Sequence, residues 1–142
     1  MFDLFWRSTL RREAAVIKAL KPRGGILLDI GCATGTFFEN FPIPEWQLFG
    51  NDPSRFGIEA ARAAYNAELF LGTLREAHYP DSFFDVISLL DAFCYFADPI
   101  SELLEVRRVL KPDGLLALEI EGLNYTLVRK HGPVSLLLDR RW

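Results

Sequence analysis

The sequence predicts an α/β fold, a doubly wound parallel sheet with helices on both faces. Three observations carry this. Short apolar runs alternate with helical patterns, Gly, Pro or Asp punctuates each transition, and the runs are too continuously apolar for strands with one solvated face.

Leu10, Ala14, Ile17 and Leu20 recur at helical spacing and end at Lys21–Pro22–Arg23–Gly24–Gly25, a stop and turn. Gly25–Ile30 (GILLDI) follows as the first strand, with Asp29 its only acid. Gln47–Asn51 reads as a second strand ending at Asp52, and Pro53 to Tyr65 carries an alanine-rich helical pattern. Glu68–Leu71, Phe84–Leu90 and Gly114–Ile120 read as the third, fourth and fifth strands. Between the last two, Asp98 as N-cap and Pro99 at the first helical position open a helix through Leu110, closed by Lys111–Pro112–Asp113–Gly114. Gly72 to Phe83 is short and turn-rich, without a helical pattern.

A chain of 142 residues, half of them hydrophobic, has the size and composition of one packed domain, so we expect residues 1–142 to form a single unit. The net charge of −3 leaves no electrostatic footprint for nucleic acid. Arg11–Arg12, Arg107–Arg108 and Arg140–Arg141 read as solvated surface. Cys32 and Cys94 stand far apart and away from metal-ligand spacings, as free thiols of a reducing cytoplasm. Charges at Asp3, Arg7, Arg11, Arg12, Glu13 and Lys18 interrupt the N-terminal segment, so no signal peptide or membrane span is expected.

The chemistry concentrates in Leu27 to Phe37 (LLDIGCATGTF), a buried strand feeding a loop of small residues. Small residues allow a ligand to approach the backbone, and in open α/β sheets the crevice at the carboxyl ends of the strands is where ligands bind. A glycine pair alone can be no more than a tight turn. Asp52, at the end of the second strand, adds a carboxylate able to accept hydrogen bonds from both hydroxyls of a ribose, and glycine loop plus acid is a more specific signal than either. The dinucleotide fingerprint G-x-G-x-x-G is not met: the small residues fall at Gly31, Ala33 and Gly35, and Thr36 stands where the last glycine belongs. A nicotinamide-dependent oxidoreductase is thereby disfavoured.

Asp29-x-Gly31-x-Ala33-x-Gly35 resembles the first motif of the class I, Rossmann-like S-adenosylmethionine-dependent methyltransferases. Phe84-Asp85-Val86-Ile87, Asp98-Pro99 and Glu105 to Leu116 resemble that family's fourth strand, following helix and fifth strand, so the likeness runs from about Gly24 to Glu121. The resemblance implies S-adenosyl-L-methionine as cofactor and a small-molecule methyl acceptor. It implies that Asp29, Gly31, Cys32, Ala33 and Gly35 form the loop around the methionine end, with Leu90 and Asp91 beyond the fourth strand. Asp52 would bind ribose, Pro53 would pack on adenine, and Gly72-Thr73-Leu74 would line the other edge of the ring.

Three positions depart from the family pattern. Ala33 replaces the middle glycine, a small intrusion. Thr73 stands where many relatives carry an aspartate bonded to the adenine amino group. Cys94-Tyr95 replaces a Glu-His pair, which removes the histidine base and leaves Tyr95 to orient an acceptor or to pack beneath the helix. Methyl transfer from a sulfonium works by proximity and orientation and requires no metal. No metal-ligand cluster or G-x-S-x-G elbow occurs, and His78 and His131 read as solvated loop residues.

After Glu121 the sequence ends in GLNYTLVRKHGPVSLLLDRRW, short of the family's last two strands. We therefore expect a C-terminally truncated fold whose fifth strand either pairs with another copy, giving a homo-oligomer, or is covered by residues 123–142. A second functional reading follows: a cofactor-binding module, inactive alone because the acceptor region is missing or supplied by a partner.

Overall fold

A computed structural model describes residues 2–120 and 134–139. Helix α1 spans Phe2–Leu20 and leads into β1, Gly25–Ile30, which holds the centre of the sheet. β2 (Trp46–Asp52), α2 (Arg55–Ala64) and β3 (Glu68–Leu71) extend it on one side. β4 (Phe84–Leu89), α3 (Pro99–Val109) and β5 (Leu110–Ile120) extend it on the other. The strand order is β3-β2-β1-β4-β5-β6, with β1 to β5 parallel and β6, Val134–Asp139, antiparallel against β5.

Register explains why these runs are apolar throughout. Leu27 pairs with Leu48 and Val86 and points to one face, while Leu28 pairs with Phe49 and Ile87 and points to the other. The first face packs on Leu10, Ala14 and Ile17 of α1, on Phe37, Phe38 and Phe41, and on Ile58 of α2. The second packs on Val106 and Val109 of α3 and on Leu74. Both layers exclude water, so neither face of a central strand can carry a polar alternation.

The segment after β1 forms a short 3-10 helix, Thr36–Asn40. Phe37 and Phe38 are both buried, so this turn is anchored to the core by adjacent aromatics rather than by one amphipathic face. Asp98 caps α3, accepting from the Ser101 N–H at 3.1 Å, with Pro99 at the first position. Lys111–Gly114 is an irregularity within β5: Phe84 pairs with Leu110 and Val86 with Leu115, so four residues stand opposite Asp85 alone before the strand resumes. Asp85 secures both sides of this irregularity, accepting from the Ile26 N–H at 2.8 Å and from Lys111 Nζ at 2.8 Å. Of the basic clusters, Arg108 is tied to Glu105, to Asp81 and to the Tyr79 carbonyl, and so joins α3 to the segment before β4.

The fifth strand is not bare. β6 pairs with β5 from Leu115–Asp139 to Ile120–Val134, so one further strand is present and the outer edge of β5 is occupied. Of the two outcomes expected, cover by the chain's own residues is the one found, and self-association through β5 has no free edge over that stretch. Leu136–Leu138 lie in the covering strand, whereas Leu123, Tyr125, Leu127, Val128, His131 and Arg140–Arg141 lie outside the described residues. Among the described residues no helix is long and apolar enough to cross a membrane.

Candidate active site

The chain leaves β1 toward β2 on one side and returns to β4 on the other, so the sheet's topological reversal lies between β1 and β4. Connections diverge there and leave a crevice beyond the strand ends. A cleft of about 630 Å³ opens at that place. Its floor is Ile30 and Gly31 after β1, Asn51 and Asp52 at the end of β2, and Leu90, Asp91 and Ala92 after β4. Thr73 and Leu74 form one wall, Trp6, Tyr95 and Phe96 contribute aromatic surface, and Glu102 reaches in from α3. A smaller pocket of about 90 Å³ adjoins it, sharing Gly31, Ala33, Leu90 and Trp6 and adding Asp29 and Cys32.

Of the residues singled out in the sequence, Gly31, Ala33, Asp52, Pro53, Thr73, Leu74, Leu90, Asp91 and Tyr95 thus line the large cleft. Gly35 and Gly72 line neither pocket and act on the loops that do. Gly35 has φ 76°, and a Cβ there would meet Phe38 at 2.9 Å and Tyr65 at 3.0 Å. Gly72 donates its N–H to the Asp52 carbonyl at 2.9 Å and accepts from Asn51 Nδ2 at 3.1 Å, tying the β3 end to the β2 end. Tyr95 is 81% exposed at the mouth of the cleft, which removes the expectation that it packs beneath the helix.

The glycine loop is held largely by its own hydrogen bonds. The N–H groups of Gly31 and Cys32 donate to the Asn51 carbonyl at 2.8 and 3.2 Å, and that of Gly35 to the Cys32 carbonyl at 2.7 Å. Ala33 N–H donates to Asp52 Oδ2 at 2.9 Å, and Ser54 N–H donates to Asp52 Oδ1 at 2.7 Å. The Asp52 carboxylate is therefore oriented by two backbone donors and still has lone pairs on both oxygens, since a carboxylate offers about four acceptor sites. Ala33 (φ 46°) and Asp91 (φ 56°) adopt the left-handed backbone that L-residues avoid, and both line the cleft. Such conformations persist where surrounding structure enforces them, commonly at functional sites.

Burial dominates the electrostatics. Desolvation pushes Asp29 up to about 7, opposed by the Ser88 hydroxyl donating to Asp29 Oδ1 at 2.7 Å and reinforced by the Asp52 charge. Burial, with the nearby Asp29 and Asp52 charges, pushes the Cys32 thiol far above its ordinary range, so it stays a thiol and packs as an apolar group. Among the described residues no group of His, Cys, Asp and Glu could hold a metal ion. His78 is exposed in its turn, and His131 lies outside the described residues.

Sequence reasoning did not find Trp6, Ile30, Asn51, Ala92, Phe96 or Glu102. Ile30, Asn51, Ala92 and Phe96 adjoin positions that were found. Trp6 and Glu102 are distant from every motif, and only helix packing brings them to the cleft.

An open parallel sheet with a cleft at its reversal point, a glycine after β1 and an oriented carboxylate after β2 defines the class of α/β proteins that bind nucleoside-containing ligands. Within that class the chain belongs to the methyltransferase domain family, which it matches over residues 28–118. It is 29% identical over 149 residues to an uncharacterized methyltransferase of Schizosaccharomyces pombe, covering 94% of this chain and 53% of that one. Among solved structures it is similar to a Pyrococcus horikoshii protein, with TM-score 0.71, 27% identity and coverage of 88% and 62%. It is also similar to an S-adenosylmethionine-dependent methyltransferase of Thermotoga maritima described as a possible histamine N-methyltransferase, with TM-score 0.65, 27% identity and coverage of 92% and 64%. The chain spans about half the length of the curated relatives it matches.

Proposed function

We propose that the cleft binds S-adenosyl-L-methionine and that the protein transfers its methyl group to a small-molecule acceptor. The observation that carries this reading is Asp52: a carboxylate at the end of β2, lining the cleft, aimed by the Ala33 and Ser54 amides and retaining acceptor capacity on both oxygens. A ribose presents two adjacent hydroxyl donors, which matches that capacity, and hydrogen bonds to a charged group contribute about 1.5–3 kcal/mol each. The cleft's volume falls within the range of small-molecule sites.

The residues present fit the cofactor in two further respects. Gly31, with φ 75°, keeps a Cβ out of a place where it would meet the Ala92 Cβ at 2.7 Å, so the narrow passage between the β1 and β4 ends stays open. Its N–H is already bonded to Asn51, so what Gly31 offers a ligand is its carbonyl, an acceptor suited to an ammonium group. Pro53 and Leu74 supply apolar surface for a purine ring, and Asp29 and Cys32 close the small adjoining pocket where the methionine end would lie.

When bound, the cofactor supplies an electrophilic methyl group. The chain's part is positioning: Trp6, Leu90 and Phe96 provide an apolar surface on which an acceptor is aligned. Tyr95 carries a hydroxyl at the mouth and is the candidate for orienting the acceptor. Calorimetric titration with S-adenosylhomocysteine and, separately, with NAD tests the reading. Saturable binding of the former and none of the latter is expected; the opposite pattern would overturn it.

A further inference from the structure

Three carboxylates line the cleft; Asp52 is placed at the ribose by the reading above, and the family resemblance puts Asp91 toward the methionine end. The third, Glu102, is unassigned. It sits one turn into α3 with its side chain 19% exposed, and among the described residues its carboxylate accepts no hydrogen bond. The nearest cation, Arg75 Nε, stands 4.0 Å away, beyond hydrogen-bond reach. Arg75 spends its Nη2 on the Ser101 carbonyl at 2.8 Å and on the Ser101 hydroxyl. The carboxylate is partly shielded from water, lacks a protein hydrogen-bond donor, and lines the space a ligand would occupy.

Arg75 locates that space. It follows Thr73 and Leu74 in the loop after β3, so Glu102 stands near the Thr73–Leu74 wall of the cleft. The Thr73 and Asn51 side chains on that side are turned into the loop or buried. The Thr73 hydroxyl and amide both donate to Glu76 Oε2 at 2.8 Å, turning Thr73 into its own loop. Asn51 Oδ1 has no partner among the described residues and is buried in the floor of the cleft.

We propose that Glu102 accepts a hydrogen bond from the exocyclic amino group of the adenine, so that α3 supplies the acid that position 73 lacks. This rests on the cofactor reading of the cleft. The chemistry is matched: an aromatic amine is a neutral donor, and the Arg75 guanidinium already offsets the Glu102 charge, so a cationic ligand group is not required. Burial raises the Glu102 carboxyl, Arg75 lowers it, and Glu105 and Asp98 raise it.

The test compares two probes, S-adenosylhomocysteine and its 6-deamino purine analogue, by calorimetry on the wild type, Glu102→Leu and Thr73→Val. Wild type should prefer the amino compound by roughly 10-fold or more, the value of one hydrogen bond to a charged group. Glu102→Leu should bring the two affinities together by weakening only the amino compound, and Thr73→Val should leave the preference intact. An equal loss for both probes in Glu102→Leu, an undiminished preference there, or a preference abolished by Thr73→Val would each overturn the assignment while leaving the cofactor reading standing. Failure of the wild type to bind either probe would instead remove the cofactor reading, and the assignment with it.

Discussion

Replacing Asp29 by asparagine should stabilise the ligand-free protein by an amount that depends on pH. Asp29 is 5% exposed in the middle of the sheet. Burial carries its carboxyl from 3.8 to about 7, the Ser88 hydrogen bond opposing and the Asp52 charge assisting. The unfolded chain releases this proton near 3.8, and the folded chain holds it to about 7, so folding takes up a proton between those values. Stability is therefore fully present below pH 3.8 and falls as pH rises through 7. At about 1.36 kcal/mol per pKa unit, the loss is on the order of 4 kcal/mol above that window. Asparagine has the same shape, keeps a carbonyl oxygen to accept from Ser88, and never ionises. Its amide nitrogen can reach the small pocket that Asp29 lines. Urea unfolding of wild type and Asp29→Asn should show a gain larger at about pH 8 than at about pH 5 by on the order of 2–3 kcal/mol. An equal gain at both pH values, or destabilisation at the higher one, would refute the argument that Asp29 folds as a desolvated acid.

Asp52→Ala should weaken S-adenosylhomocysteine binding by roughly ten-fold or more. It should also lower stability by about 1–3 kcal/mol, because the Ala33 and Ser54 amides lose their acceptor. Unchanged affinity with an intact circular dichroism spectrum would remove Asp52 from the site. Gly31→Val should harm both the pocket and the fold, since the position has φ 75° and a Cβ there lies 2.7 Å from Ala92 Cβ. Pairing Gly31→Ala with Ala92→Gly should restore part of the stability that Gly31→Ala alone loses, and strict additivity of the two in thermal melts would show that the contact is not what matters. Asp85→Ala should cost about 1–3 kcal/mol by stranding the Ile26 amide and the Lys111 ammonium, with cofactor-analogue affinity unchanged. A matching loss of affinity would mean that the sheet irregularity at β5 reaches the cleft.

The sequence by itself determined the strands and the loop that begins the site. GILLDI is β1 to the residue and ELFL is β3 to the residue. A strand between two helical layers must be apolar on both faces, and that requirement is written locally. Asp98 and Pro99 likewise start α3 where they stand, because a cap satisfies amides within its own turn. Gly31, Ala33, Asp52 and Pro53 were legible as a unit because chain reversals after β1 and β2 bring adjacent strand ends together.

Tertiary structure decided what depends on partners remote in sequence. β5 begins at Leu110 rather than Gly114 because Phe84 offers an edge to pair with before the Lys111–Gly114 irregularity. β6 exists as a strand because β5 had a free edge; Val134–Asp139 carries no turn or alternation strong enough to announce it. Gly35 looked like ligand-binding backbone, yet Phe38 and Tyr65 occupy the space beside it. Trp6 and Glu102 enter the cleft only through the packing of α1 and α3, and no spacing along the chain encodes that distance. Local sequence specifies backbone geometry and the solvent each face prefers, whereas a binding wall is assembled from whichever side chains the layers carry to the same opening.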